Sequence, residues 1–307
     1  MVVATDNSEF RYLPGQAQAL GVALPSAKRV AIALPDGREI SALRYGDGAP
    51  TVTLLHGAGL NAHTWDTTAL LLQQPLLAID LAGHGDSSWR DDADYTARTL
   101  AADVIRALEQ CTSQPQVLVG QSLGGLTAAA VASARPDLVS EVIIVDITPG
   151  IDTSGGPAVL REFYSGPTDF ASRDEMVDRA IAAGFGGARA DTERGVFFNT
   201  RIRPDGRVEW KHHFARLAAQ VFAAPEAGAP AARAVLQDSG WEDLRGVKAP
   251  ITLIRATSGF VSEADGDDLQ RRLPSARVVA IDATHNVQES APRKLAELIH
   301  TIARSPA

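Results

Sequence analysis

Gly120-Gln121-Ser122-Leu123-Gly124 joins a short apolar run, Val117 to Val119, to a segment from Leu123 to Ala134 that is rich in Ala, Leu and Gly. A buried parallel strand turning directly into a helix, with a serine at the junction and glycines two before and two after, is the pattern of a nucleophile elbow. The glycines have a steric reason. So sharp a turn strains the serine backbone, and side chains on either flank would collide. The helix start beyond it offers free backbone N–H groups to a developing negative charge. Such a serine could attack an acyl carbon, but a hydroxyl is inert at neutral pH and needs a base to take its proton. Seven histidines compete for that role: His56, His63, His84, His212, His213, His285 and His300.

The chain that must position these groups has 307 residues, 45% hydrophobic and 21% charged. That is enough for a sizeable core in one large α/β domain, or in a core domain with an insertion. A net charge of −8 argues against a nucleic-acid partner and favours a soluble protein. The single cysteine, Cys111, cannot form an internal disulfide and is expected to pack as a small hydrophobe at a helix end. Met1 to Gly21 lacks a basic start followed by an apolar stretch, and no run approaches a membrane-spanning length. Neither a secretory signal nor a membrane partner is therefore expected, and a cytoplasmic location is the default.

Residues 1 to about 27 show no clear period and read as an irregular arm. Arg29 to Leu34, a Pro35-Asp36-Gly37 turn, and Glu39 to Tyr45 read as a β-hairpin. Short apolar runs follow at Thr51–Leu55, Leu76–Asp80, 116–119 and Glu141–Val145, with helices expected over Thr64–Leu72 and Thr96–Gln110. The alternation then stops for about one hundred residues, longer than an ordinary loop. Within that stretch Ser172 to Ala183 reads as a helix with a Ser172/Glu175 capping box, and His212 to Phe222 as another helical segment. Alternation resumes with a strand at Ile251–Ile254, a helix over Glu263–Leu273, a strand at Arg277–Ile281 and a final helix over Pro292–Arg304.

Strands alternating with helices imply a parallel sheet. Together with His56-Gly57-Ala58-Gly59, Asp80-Leu81-Ala82-Gly83-His84-Gly85-Asp86-Ser87, the elbow, and Thr284-His285-Asn286-Val287, the chain resembles an α/β-hydrolase-fold enzyme of the cap-bearing serine esterase, lactonase and carbon–carbon-hydrolase type. The resemblance covers residues 29–304. It implies a mostly parallel central sheet flanked by helices, with an inserted, mainly helical cap. The expected organisation is a core over 1–147, a cap over 148–240 and the rest of the core over 241–307.

The resemblance makes Ser122 the nucleophile and His285 the base, and gives His56 a structural or oxyanion-shaping place. Its usual acid slot reads Arg255-Ala256-Thr257-Ser258-Gly259-Phe260, without a carboxylate. Glu263 and Asp265 follow, where Ser262 reads as a helix cap and first-turn acids oppose the helix dipole. Asp146 is the better candidate. It ends the strand after the elbow helix, and adjacent parallel strands bring their carboxyl ends to one edge of the sheet. Some relatives carry the acid there; the structural alternative is a cap on the Thr148-Pro149-Gly150 turn.

The backbone N–H groups of Leu123 and Ala58 are the expected oxyanion donors. Gly57, Leu60, Trp65, Phe163 and Trp210 are candidate substrate contacts, although most cap aromatics (Phe163, Tyr164, Phe170, Phe185, Phe197, Phe198, Trp210 and Phe214) are expected in the cap's own small core. The expected activity is hydrolysis of a small or medium carboxylic ester or lactone through an acyl-enzyme, with a small molecule as partner. No cofactor and no metal is called for, and the oligomeric state stays open. Carbon–carbon hydrolysis of a diketone, or ligand binding with little turnover, are the alternatives.

Overall fold

The computed structural model describes residues 9–151, 163, 166–184, 187–217 and 240–304. In chain order the strands are β1 (Ala27–Ala33), β2 (Glu39–Tyr45), β3 (Val52–Leu55), β4 (Leu76–Ile79), β5 (Gln116–Gln121), β6 (Val139–Val145), β7 (Asp169–Phe170), β8 (Thr200–Ile202), β9 (Val208–Trp210), β10 (Ile251–Ser258) and β11 (Arg277–Thr284). Eight of them make one sheet in the order β1-β2-β4-β3-β5-β6-β10-β11. The β1–β2 hairpin and its junction with β4 are antiparallel, and every other pair is parallel. Parallel pairing buries both faces. Accordingly β3, β4 and β5 are buried at every position.

Helices cover the two faces. Residues of α3 (Ala97–Cys111) and α4 (Leu123–Ala134) share one core with Leu118, Val142 and Leu253. The other face packs α2 (Asp66–Leu72) and the C-terminal helix Pro292–Arg304 against Val119, Ile143 and Ile254. The helix α4 is apolar all round and buried from Leu123 to Ala132, which is what a helix wedged inside the core requires. The start of the chain is not wholly irregular: Leu13–Leu20 is a helix, α1, with proline in its first turn and Gly21 closing it at φ 69°.

Between β6 and β10 the chain leaves the sheet, and what it builds is not only helical. Helices Arg173–Ala182 and Arg189–Asn199 accompany a three-stranded antiparallel sheet, β7-β9-β8. Strands of two or three residues such as Val208-Glu209-Trp210, paired locally with Thr200–Ile202 and across forty residues with Asp169–Phe170, are too short for a periodicity reading. Ser172 caps its helix through the Glu175 N–H, but the Glu175 carboxylate reaches the Ala171 N–H at 2.7 Å rather than closing a reciprocal box. The helical segment expected over His212–Phe222 lies partly outside the described residues, as do Tyr164 and Phe185.

This inserted segment docks on the loop after β4. The His213 N–H donates to Gly83 O at 2.7 Å, and the Trp89 ring lies flat on His213, 4.4 Å between centroids. Lys211 reaches Asp86 at 2.8 Å.

Candidate active site

From Gln116 to Ala132 every residue is buried except Ser122. The serine sits at the carboxyl end of β5 with φ 52° and ψ −122°, a backbone conformation that costs a non-glycine residue energy. Its N–H donates to Val145 O on β6 at 3.0 Å, and its carbonyl accepts from the Gly125 N–H at 2.8 Å. A Cβ at Gly120 would lie 2.1 Å from Gly124 O, and one at Gly124 would lie 2.3 Å from Leu55 O. Both flanks of the turn are thus closed to side chains, and the strained serine is held half-exposed.

Val145 pairs with both Gln121 on β5 and Ile254 on β10, so the residue after it emerges beside the elbow. That residue, Asp146, is fully buried and also adopts positive φ, 51°. Its Oδ2 lies 2.7 Å from His285 Nδ1. The same carboxylate accepts from the Ala256 N–H at 2.9 Å and the Phe260 N–H at 2.7 Å. The loop that lacks an acid therefore wraps the acid of the neighbouring strand with backbone donors. A Cβ at Gly259 would fall 2.1 Å from Asp146 Oδ2, so only glycine fits there. The Phe260 ring stacks on His285, with centroids 3.5 Å apart and planes 12° from parallel. Asp265 instead accepts from Ser262 N–H and Oγ in a capping box, and Glu263 pairs with Arg255 at the surface.

The loop after β3 runs past the elbow: the point a Cβ would occupy at Gly57 is 3.2 Å from Ser122 Cβ. His56 Nε2 accepts from the Leu81 N–H at 3.0 Å, which leaves the ring proton on Nδ1 to donate to Gly57 O at 2.8 Å. Burial, against the pull of Asp80, lowers the His56 pKa and keeps the ring neutral. Gly57 is buried, while Ala58 and Leu60 are half-buried. Leu123 is the first residue of α4, where backbone N–H groups have no partner within the helix.

The remaining histidines are engaged elsewhere. His63 lies 3.1 Å from Asp66 and stacks on Phe198; burial pulls its pKa down, but Asp66, then Glu9 and Asp80, hold it raised. His84 is wholly buried, its Nδ1 3.1 Å from Ala82 O, and burial depresses its pKa to about 3. His212 and His213 join the inserted segment to the core, and His300 lines a shallow cavity with Thr51 and Gln114 at the opposite edge of the sheet. Asp80 is a buried hub: it accepts from the Ala62 and Asp86 N–H groups and from Arg29, and Arg29 leads the influences that outweigh burial and lower its pKa.

Three of the expected substrate contacts pack against other side chains. Trp65 is fully buried in the core with Leu70 and Val119, because it ends a 3-10 turn packed onto the sheet. Trp210 and Phe163 meet edge to face at 6.0 Å within the inserted segment's own core, beside Phe170 and Met176. Sequence reasoning also passed over Phe260, Gln121, Thr64 and Glu289. Gln121 Nε2 donates to His285 O at 3.3 Å, and Thr64 Oγ1 donates to Glu289 at 2.8 Å. The only signals in the chain were the place of Gln121 beside Ser122 and that of Glu289 four residues after His285. Among the described residues, no group of three or more His, Cys, Asp or Glu could hold a metal ion, and no helix is long and apolar enough to cross a membrane.

A model of the alpha/beta hydrolase family matches residues 54–298. The chain belongs to the alpha/beta hydrolase family. Esterase Rv0045c of Mycobacterium tuberculosis is 36% identical to this hydrolase over 97% of this chain and 96% of its own. A solved structure of that esterase superposes with a TM-score of 0.80 at 34% identity, covering 98% of this chain and 100% of the other. A pimeloyl-[acyl-carrier protein] methyl ester esterase of Aeromonas hydrophila is 29% identical over 85% of this chain and 97% of its own. These relatives support carboxylic ester hydrolase activity for this hydrolase.

Proposed function

We propose that this hydrolase cleaves a small or medium carboxylic ester or lactone through an acyl-enzyme on Ser122, with His285 as base and Asp146 as the orienting acid. The observation that carries the reading is the 2.7 Å contact between Asp146 Oδ2 and His285 Nδ1, at the sheet edge that also bears the strained Ser122. With Nδ1–H donated to Asp146, the lone pair of His285 is on Nε2. That nitrogen takes the Ser122 proton as Oγ attacks the carbonyl carbon. The negative charge moves to the carbonyl oxygen, where the Leu123 and Ala58 N–H groups stabilise it; each such donor typically contributes about 3 kcal/mol. His285 then gives its proton to the departing alkoxide, and water repeats the sequence on the acyl-enzyme.

Asp146 keeps the imidazole in one tautomer and stabilises the imidazolium formed midway. Its two backbone donors hold the carboxylate in place, so the histidine is oriented by a fixed group. The inserted segment over the sheet edge acts as a cap that shapes the acyl or alcohol pocket, and Leu60 contributes from the oxyanion loop. The test is steady-state hydrolysis of a panel of short-chain p-nitrophenyl esters by the wild type and Ser122→Ala. Turnover lost in the variant supports the reading; equal turnover in both contradicts it.

A further inference from the structure

The turn that carries His285 and the loop that carries the oxyanion donor meet through side chains more than two hundred residues apart in sequence. Thr64 Oγ1 donates to Glu289 Oε1 at 2.8 Å, and Gln288 Nε2 donates to the same hydroxyl at 3.1 Å. On the other oxygen, Asn286 Nδ2 donates to Glu289 Oε2 at 3.3 Å. Asn286 Oδ1 in turn accepts from Gln121 Nε2 at 3.4 Å, and the same amide reaches His285 O at 3.3 Å. Gln121 precedes Ser122, Asn286 follows His285, and Thr64 lies just beyond the loop of Gly57 and Ala58. One string of polar side chains therefore laces the elbow, the histidine turn and the oxyanion loop together.

Glu289 is the member that joins two loops at once, one carboxylate oxygen to each. Glu289 is exposed to solvent while it makes these contacts. A solvent-accessible hydrogen bond contributes about 1 kcal/mol, so losing the Thr64 contact should leave the fold intact. Displacing reacting groups by an ångström can cost about a hundredfold in rate.

We propose that Glu289 is a positioning residue which, through Thr64, holds the His285 turn in register with the oxyanion loop. This rests on the reading of Ser122 as nucleophile and His285 as base. Asn286 and Gln121 extend the same tie to the elbow. Because the tie acts on the placement of groups rather than on substrate, it governs kcat and leaves KM alone.

The experiment compares Glu289→Leu, Glu289→Gln, Thr64→Val and the Thr64→Val/Glu289→Leu pair with the wild type and Ser122→Ala on one p-nitrophenyl ester. Glu289→Leu and Thr64→Val should each lower kcat about tenfold with KM within about twofold, as for a lost alignment rather than a lost binding contact. Their Tm should stay within about 3 °C of wild type. Glu289→Gln keeps a carbonyl oxygen for Thr64 and should recover most of the rate. The double variant should be no slower than the slower single, since both remove one contact. Wild-type kcat in both single variants, losses that multiply, or a change confined to KM would overturn the proposal. Ser122→Ala separates the two failures. If it is inactive while the Glu289 and Thr64 variants run at full rate, only the positioning role falls; if it turns over normally, the catalytic reading falls with it.

Discussion

Gly259 shows at the residue scale how the 255–260 loop accommodates the Asp146 carboxylate. Its hydrogen faces the Asp146 carboxylate, and a methyl there would come within 2.1 Å of Oδ2. Gly259→Ala must push the carboxylate or the 255–260 loop aside, which moves the partner of His285. The expected result is a kcat loss of at least tenfold, together with a destabilisation of about 1–3 kcal/mol from overpacking. Kinetics alongside urea unfolding would check it; an unaltered kcat would show that the loop tolerates the shift. Ser122, His285 and Asp146 were legible as candidates because each ends a strand with a motif or a topological reason. The hydrogen bonds that hold Asp146 were not, because the N–H groups of Ala256 and Phe260 belong to every backbone and leave no mark in side-chain type. Trp65 misled for the opposite reason: its place beside the oxyanion loop suggested a substrate contact, while its volume fills the core.

Elements of the sheet were readable because buried parallel strands are short apolar runs, and Thr51–Leu55, Leu76–Asp80 and Glu141–Val145 stand out between polar turns. Strand order was not, since pairing β3 with both β4 and β5 depends on crossover connections rather than on any local pattern. The carboxyl ends of β3, β5, β6 and β11 share one edge, and the loops beyond them carry His56, Ser122, Asp146 and His285. Less legible was the inserted segment, whose two- and three-residue strands depend on partners up to forty residues away. The helix Leu13–Leu20 escaped because its buried face is only Leu13 and Ala17, too few positions to show a period.

Across the whole molecule, buried histidines set the response to acid. Burial lowers the pKa of His56, His84 and His212, and lowers that of half-buried His213 as well. The unfolded chain binds a proton at each of these sites near pH 6.5 while the folded protein does not, so their stabilisation is complete above that value and is lost as pH falls. For His84 the loss is about 1.4 kcal/mol per pH unit, continuing to its folded value near 3. His63 works in the other sense: its raised pKa gives stability that is present below 6.5 and lost as pH rises through the folded value. With four sites against one, and with His84, His212 and His213 joining the inserted segment to the core, the urea midpoint should fall between pH 6.5 and 4.5. A midpoint that stays level or rises over that range would contradict this accounting.

The central claim is that Asp146, rather than an acid after β10, orients His285. Comparing kcat for ester hydrolysis in Asp146→Asn, Glu263→Gln and Asp265→Asn tests it most directly. Asn at 146 can offer its amide to Nδ1 and hold the wrong tautomer, so kcat should fall by about 10⁴, with Glu263→Gln and Asp265→Asn near wild type. A near-wild-type rate for Asp146→Asn, with the loss appearing at Glu263 or Asp265 instead, would contradict the account.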